Sequence, residues 1–193
     1  ATGRVLAAGI GGGQGGSGGN ITINGGNVTA TSEAFAAGIG GGQESSGGNI
    51  TINGGTVTAT GGQEAAGIGS GSHGSGGTIT ISGGSVAATG GELAAGIGDG
   101  SGDGSGGSGG SFTTGTDGHA LIVASSISDK SQRDSWSGII FQGDTGEVYK
   151  DQTLQENIEI PSGKTLTVPE NTTLTVNSGV TLTNSGTITG DGT

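Results

Sequence analysis

Residues 36–60 read AAGIGGGQESSGGNITINGGTVTAT, and the opening AAGIG occurs four times in the chain. Its isoleucines, Ile10, Ile39, Ile68 and Ile97, follow one another at a constant spacing of 29 residues. A disordered low-complexity chain has no reason to keep apolar residues in register. In a solenoid, by contrast, each repeat buries its apolar face on its neighbours. The constant spacing therefore predicts a repeat solenoid.

Within one repeat, apolar and polar residues alternate. Residues 20–24 read NITIN and residues 28–31 read VTAT, which is the period of two expected of half-buried strands. Gly25 and Gly26 supply the backbone freedom of a tight corner between them. We therefore predict an all-β fold, a right-handed parallel β-helix with 29 residues per coil in the N-terminal part. The predicted inward-facing residues of one coil are Ala8, Ile10, Ile21, Ile23, Val28 and Ala30.

The composition fits a thin core and excludes several classes of protein. Gly accounts for 50 of the 193 residues, hydrophobic residues make up 28%, and the net charge is −11. Without Cys, a disulfide scaffold and a thiolate zinc site are both excluded. The chain has no apolar run of the roughly 18 residues that a membrane span needs. Five basic residues do not form the patch that a nucleic-acid binder needs.

The repeat pattern loosens after residue 98 and a different one closes the chain. Leu166, Leu174 and Leu182 recur eight residues apart within Thr-rich segments, which indicates shorter coils. We expect one continuous solenoid in three parts. These are a Gly-rich repeat region (1–124), an irregular coil or cap-like insertion (125–157) and a Thr/Leu-rich continuation (158–193).

Three stretches carry a resemblance to known proteins. The string AAGIGGG…GGNITINGGTVTATGG, the segment WSGIIFQGDTGEVY (136–149) and the segment IPSGKTLTVP (160–169) resemble parts of large secreted or wall-attached proteins of Gram-positive bacteria. The first repeat is similar to a family of carbohydrate-binding β-helix modules. This resemblance implies an extracellular location, secreted or attached to the cell wall, with a glycan or another surface ligand. It also implies calcium bound at Asp-rich corners.

The outward side chains of the strands are the most regular chemical feature. If the apolar residues point inward, the intervening Thr and Asn residues point outward and stack about 4.8 Å apart from coil to coil. Such a grid resembles the surface of β-helical ice-binding proteins, and its hydroxyl and amide groups are equally suited to sugars. Thr165 and Thr167 extend the grid into the C-terminal part. The predicted ligand-binding face consists of Thr22, Thr29, Thr31, Thr51, Thr58, Thr60, Thr80, Thr89, Asn20 and Asn49.

Two smaller candidate sites lie outside this face. Trp136 and Tyr149 are the candidate stacking platforms for a sugar ring, and the alternative for Trp136 is packing in an irregular coil. Asp99, Ser101 and Asp103 have the spacing of the first three ligands of an EF-hand loop. The Glu of the twelfth position is missing, and a flexible Gly/Ser loop is the alternative. Calcium is the one cofactor that the sequence suggests.

The sequence contains no recognisable catalytic constellation. Glu33, Glu64 and Glu92 stand singly at corners, where solvated carboxylates are common. We therefore expect no enzyme, but a structural or adhesive extracellular module that binds carbohydrate. Ice binding through the Thr-x-Thr arrays and end-to-end self-association into a fibre or stalk are the alternatives.

Overall fold

The computed structural model describes residues 1–101, 110–115 and 119–193, and in this part of the chain nearly every regular element is a short strand. The one helical element among these residues is a short 3-10 helix at Arg133–Ser135. The strands are β1 (Ile10–Gly11), β2 (Asn20–Ile23), β3 (Asn27–Thr31), β4 (Ile39–Gly40), β5 (Asn49–Ile52), β6 (Thr56–Thr60), β7 (Ile68–Gly69), β8 (Thr78–Ile81), β9 (Ser85–Thr89), β10 (Ile97–Gly98), β11 (Ser111–Thr114), β12 (Leu121–Ala124), β13 (Gly138–Gln142), β14 (Thr145–Tyr149), β15 (Gln152–Leu154), β16 (Ile158–Ile160), β17 (Thr165–Thr167), β18 (Leu174–Val176), β19 (Leu182–Asn184) and β20 (Thr187–Thr189).

The N-terminal strands stack into three parallel sheets, one on each side of a coil. One sheet has the order β1-β4-β7-β10, the second has β2-β5-β8-β11, and the third begins β3-β6-β9-β12. Paired residues in the first coils are 29 residues apart, as in Ile10 with Ile39 and Asn20 with Asn49. The predicted parallel β-helix is therefore confirmed, and its right-handed sense stays a prediction.

The alternation of side chains places the predicted apolar set inside the coil. In the second coil the equivalent residues are all almost fully buried, because a coil lies on either side of them. Each buried Ile or Val of this kind contributes about 1.5–3 kcal/mol to the free energy of unfolding. These residues are Ala37, Ile39, Ile50, Ile52, Val57 and Ala59, with exposed fractions of 0–1%.

Glycine is required on the side of the coil that holds β1, β4, β7 and β10. Gly40 has a φ of 133°, which side chains other than hydrogen rarely adopt. A Cβ atom at Gly40 would also overlap the backbone carbonyl of Gly69 in the next coil. The backbones therefore stack directly on one another here, and much of the glycine content follows from this contact.

The third sheet continues past the repeats, but its strand direction reverses. β13 pairs in parallel with β12, and a hairpin then places β14 antiparallel to β13. β17 and β20 follow in parallel with β14, which gives one sheet of eight strands. Every strand after the hairpin thus runs opposite to those before it.

The buried face of this sheet changes at the same place. Ile122 and Ile140 belong to the core of the N-terminal coils, which we call the first core. Their neighbours Leu121, Ile139 and Phe141 belong to a second core. Because successive residues of a strand point to opposite faces, the second core lies on the other face of the sheet. Residues 158–193 therefore continue the sheet but not the first core, which differs from the expected single continuous solenoid.

The coils around the second core are shorter. Thr145 pairs with Thr165, Gln152 with Leu174 and Ile158 with Leu182, which gives offsets of 20, 22 and 24 residues. Two further sheets of two strands, β15-β18 and β16-β19, close these coils. No helix in the described ranges is long and apolar enough to cross a membrane.

Candidate functional sites

The predicted ligand-binding face is divided between two sides of the coil. Asn20, Thr22, Asn49, Thr51 and Thr80 lie on the outer surface of β2, β5 and β8, which we call the ladder face. The other predicted residues point outward from β3, β6 and β9, which we call the threonine face. These are Thr29, Thr31, Thr58, Thr60 and Thr89.

On the ladder face, side chains of neighbouring coils hydrogen-bond to one another. The Asn49 amide Nδ2 donates to Asn20 Oδ1 at 2.9 Å, and Asn53 Nδ2 donates to Asn24 Oδ1 at 2.8 Å. The hydroxyl groups of Thr80 and Thr113 are 3.1 Å apart. Each Asn pair leaves amide hydrogens at one end and a carbonyl lone pair at the other. The face thus offers donors and acceptors in fixed positions.

The threonine face is regular over three coils and then ends. Thr29 pairs with Thr58 and Thr31 with Thr60, whereas Ala87 continues the first column. In the following strand, Leu121 and Val123 occupy the same face and pack in the second core. The array is therefore bounded by the second stack of coils.

The Thr residues of the C-terminal coils do not extend this array. Thr167 pairs with Glu147, which itself lies opposite Ile140 of the first core. Thr167 therefore points to the face of the sheet opposite the threonine face. The prediction that the two arrays form one grid is wrong, because the core changes face between them.

Trp136 is not a stacking platform, so that prediction is wrong. Its side chain is 1% exposed, and its ring lies 5.2 Å from Phe112 and 5.4 Å from Tyr149, edge to face in both cases. The indole closes the end of the first core, where burial of its large apolar surface stabilises the fold. Packing, the alternative weighed from the sequence, is the observed role.

Tyr149 is half-buried and its ring is already covered. The Arg133 guanidinium lies 5.6 Å from the ring centroid, and Arg133 Nε donates to the Tyr149 hydroxyl at 2.9 Å. Burial raises the pKa of Tyr149, so its hydroxyl stays neutral at physiological pH. The residue therefore orients Arg133, and no ring face is left for sugar stacking.

The acidic loop is only partly described. Asp99 Oδ1 accepts hydrogen bonds from the backbone N–H groups of Gly76 at 2.6 Å and Gly110 at 3.3 Å. Asp103 lies outside the described residues, and Ser101 lies at their boundary. Within the described ranges, no group of three or more His, Cys, Asp or Glu residues is arranged to hold a metal ion. The Asp99 carboxylate organises the loop backbone here.

The structure also contains a cleft that sequence reasoning missed. It has a volume of about 400 Å³ and lies between the segment before β13 and the sheet itself. We call it the junction cleft. Its side chains include Lys130, Arg133, Gln142, Glu147, Tyr149 and Thr167.

One ion pair organises the charges of the junction cleft. Arg133 Nη2 donates to Glu147 Oε2 at 2.8 Å, and this hydrogen bond raises the pKa of Arg133. Arg133 is therefore a permanent cation held by both Glu147 and Tyr149. The sequence did contain a signal, since four of its five basic residues fall between residues 130 and 164. What it lacked was the reversal that places them around one cavity.

The repeats match a known family model. A model described as Beta helix repeat matches residues 21–43, 50–72 and 79–111. The chain is a β-helix repeat protein. The three matched segments of the β-helix repeat protein begin at the equivalent residues Ile21, Ile50 and Ile79 of the ladder strands. No curated protein and no solved structure matches the chain.

Proposed function

We propose that this β-helix repeat protein is a non-enzymatic extracellular module, structural and adhesive in role, that binds carbohydrate. The observation that carries this proposal is the ladder face. Its Asn and Thr side chains hold one another in place across successive coils, as Asn49 and Asn20 do at 2.9 Å. Sugar hydroxyls both donate and accept hydrogen bonds, so a surface of fixed donors and acceptors recognises them with little loss of side-chain entropy.

The distribution of carboxylates supports a non-catalytic role. A glycosidase needs two carboxyl groups about 5–9.5 Å apart across the substrate. Glu33 and Glu92 are exposed at corners of the coil, and Glu64 accepts a hydrogen bond from the Ser72 hydroxyl at 3.0 Å. In the junction cleft, the carboxylate of Glu147 is paired with Arg133. This arrangement favours binding over catalysis.

A glycan array tests the proposal. We expect wild-type protein to bind at least one glycan class, and the double variant Asn20→Ala/Asn49→Ala to lose about tenfold or more in affinity, because two or more hydrogen bonds disappear. The matched control Thr29→Ala/Thr58→Ala removes two outward side chains of the same strand stack from the threonine face and should bind normally. Circular dichroism checks that both variants are folded.

Two outcomes contradict the proposal. Absence of any glycan binding at high protein concentration overturns carbohydrate binding altogether. Equal loss in the two double variants overturns the assignment to the ladder face. Ice binding stays a prediction for the threonine face alone, and thermal hysteresis lost only in Thr29→Ala/Thr58→Ala would favour it. End-to-end self-association also stays a prediction.

A further inference from the structure

We propose that the junction cleft binds an anionic sugar, through a carboxylate or phosphate group and an adjacent hydroxyl. The proposal rests on the proposed carbohydrate function and adds a second location and a charge class to it. The cleft's volume of about 400 Å³ falls within the range of small-molecule sites. It holds one small, polar ligand rather than a long glycan.

The cleft exists because the core changes face. Up to β13 the first core covers one face of the shared sheet, and Ile140 is its last described contribution in strand order. From β14 onward the same face carries Glu147 and Tyr149, which pair with Ile140 and Gly138. The segment around Arg133 forms the opposite wall. The result is a concave polar surface with an apolar floor.

The charge of the cleft is opposite to that of the protein. The chain carries a net charge of −11 with only five basic residues, yet Lys130 and Arg133 both line this one cavity. Glu147 neutralises one of the two cations. In the described part of the chain, no carboxylate pairs with Lys130. The remaining positive charge favours an anionic ligand.

Arg133 is held ready for such a ligand. Its Nε is bonded to the Tyr149 hydroxyl and its Nη2 to Glu147, which fixes the plane of the guanidinium. Guanidinium carries five N–H donors, so donors remain for a carboxylate or phosphate oxygen. Because the side chain is already ordered, ligand binding costs little further conformational entropy.

Gln142 supplies a reason for a neighbouring hydroxyl. Its Oε1 atom is buried in the wall of the cleft and has no hydrogen-bond partner among the described residues. A buried acceptor without a donor is costly to the free protein. A ligand hydroxyl that donates to Oε1 removes this cost. Gln142 is held in position by its pairing with Thr145 across the hairpin.

Calorimetric titration with three small sugars tests the proposal. Glucuronate and glucose 6-phosphate carry the two anions, and glucose is the neutral control. We expect saturable binding of at least one charged sugar and none of glucose. The sole Trp residue, Trp136, is 5.4 Å from Tyr149, so its fluorescence gives a second readout. The two charged sugars distinguish carboxylate from phosphate as the recognised group.

Matched variants locate the binding. Lys130→Gln should weaken it about tenfold or more, because a charge-assisted hydrogen bond is lost. Lys150→Gln removes the same charge from an exposed residue outside the cleft lining and should change affinity less than twofold. Gln142→Leu should also weaken binding about tenfold, yet leave the thermal midpoint unchanged or raised, since it removes an unsatisfied acceptor.

Three outcomes overturn the cleft assignment. They are no saturable binding of either charged sugar, glucose binding as tightly as they do, and equal weakening by Lys130→Gln and Lys150→Gln. These results leave array binding through the ladder face intact. Conversely, an array without bound glycans, together with titration that depends on Lys130, overturns the ladder face and retains the cleft.

Discussion

The coils around the first core and those around the second use similar strands but different corners. In both regions, apolar residues alternate with Thr, as in residues 56–60 and 165–168. The first region spends 29 residues on a coil, and the second spends 20–24. The difference lies in the connections, because the first region inserts long Gly-rich loops and two-residue strands such as β4.

This comparison shows that strand chemistry sets the stacking, whereas corner chemistry sets the size and rigidity of the coil. Gly40 and its equivalents allow backbone to lie directly on backbone, so the long loops of the first region are packed. The second region has open corners instead, such as Gly163, where an added Cβ would contact nothing. The two regions should therefore respond differently to equivalent substitutions.

The largest difference is expected between Gly40→Ala and Gly163→Ala. At Gly40 a Cβ atom overlaps the Gly69 carbonyl and φ is 133°, so we expect a loss of more than about 4 kcal/mol in the free energy of unfolding. At Gly163, φ is 81° and the space is open. The cost there should be about 1–2 kcal/mol. Denaturant unfolding measures both, and equal losses would contradict the distinction between packed and open corners.

A second comparison concerns the interior of the two cores. Trp136 is 1% exposed at the end of the first core, and Trp136→Ala should cost about 3–5 kcal/mol because a large cavity forms. Leu182 is only partly buried against the second core, and Leu182→Ala should cost less than half as much. Thermal unfolding followed by circular dichroism makes the comparison. A larger loss for Leu182→Ala would show that the second core is the more tightly packed.

The smallest effect is a pH dependence in the segment that joins the two regions. Burial by itself raises the pKa of Asp129, but hydrogen bonds from Ser131 and from the Phe112 backbone outweigh it and lower the pKa below 3.8. A lowered pKa in the folded state adds stability that is present above the unfolded value and lost as pH falls through the folded one. The carboxylate is largely solvated, which limits the effect.

Asp129→Asn should therefore be less stable than wild type at neutral pH, with the difference shrinking as pH falls below about 4. Urea unfolding at several pH values between neutrality and about 3 measures this. A difference that stays constant with pH would assign the role of Asp129 to neutral hydrogen bonding.

Much of the N-terminal fold could be predicted from the sequence. The constant spacing of Ile10, Ile39 and Ile68 fixed the register, and the alternation around Ile50 and Val57 fixed which side chains are buried. Both are local patterns that the neighbouring coils merely repeat. For the same reason, the outward position of Thr22, Thr29 and their equivalents followed directly.

The junction could not be predicted in the same way. Residues 138–149 read as two strands around a Gly-Asp-Thr-Gly turn, but nothing in this pattern tells which face of the sheet the next core occupies. Ile139, Ile140 and Phe141 are all buried, so the usual alternation gives no direction. The separate Thr arrays and the junction cleft depend on that choice, and both were therefore missed.

The double change at the hairpin has a geometric consequence for the whole rod. The sense in which a coil winds depends on the direction of its strands and on which face of the sheet it encloses. Either reversal alone would invert the chirality of the second stack, and together they preserve it. The axis of the rod is meanwhile displaced sideways across the shared sheet, by about the 10 Å between packed layers. The molecule is thus a crankshaft of uniform hand, in which any pull along its length passes through the hydrogen bonds of β12, β13 and β14.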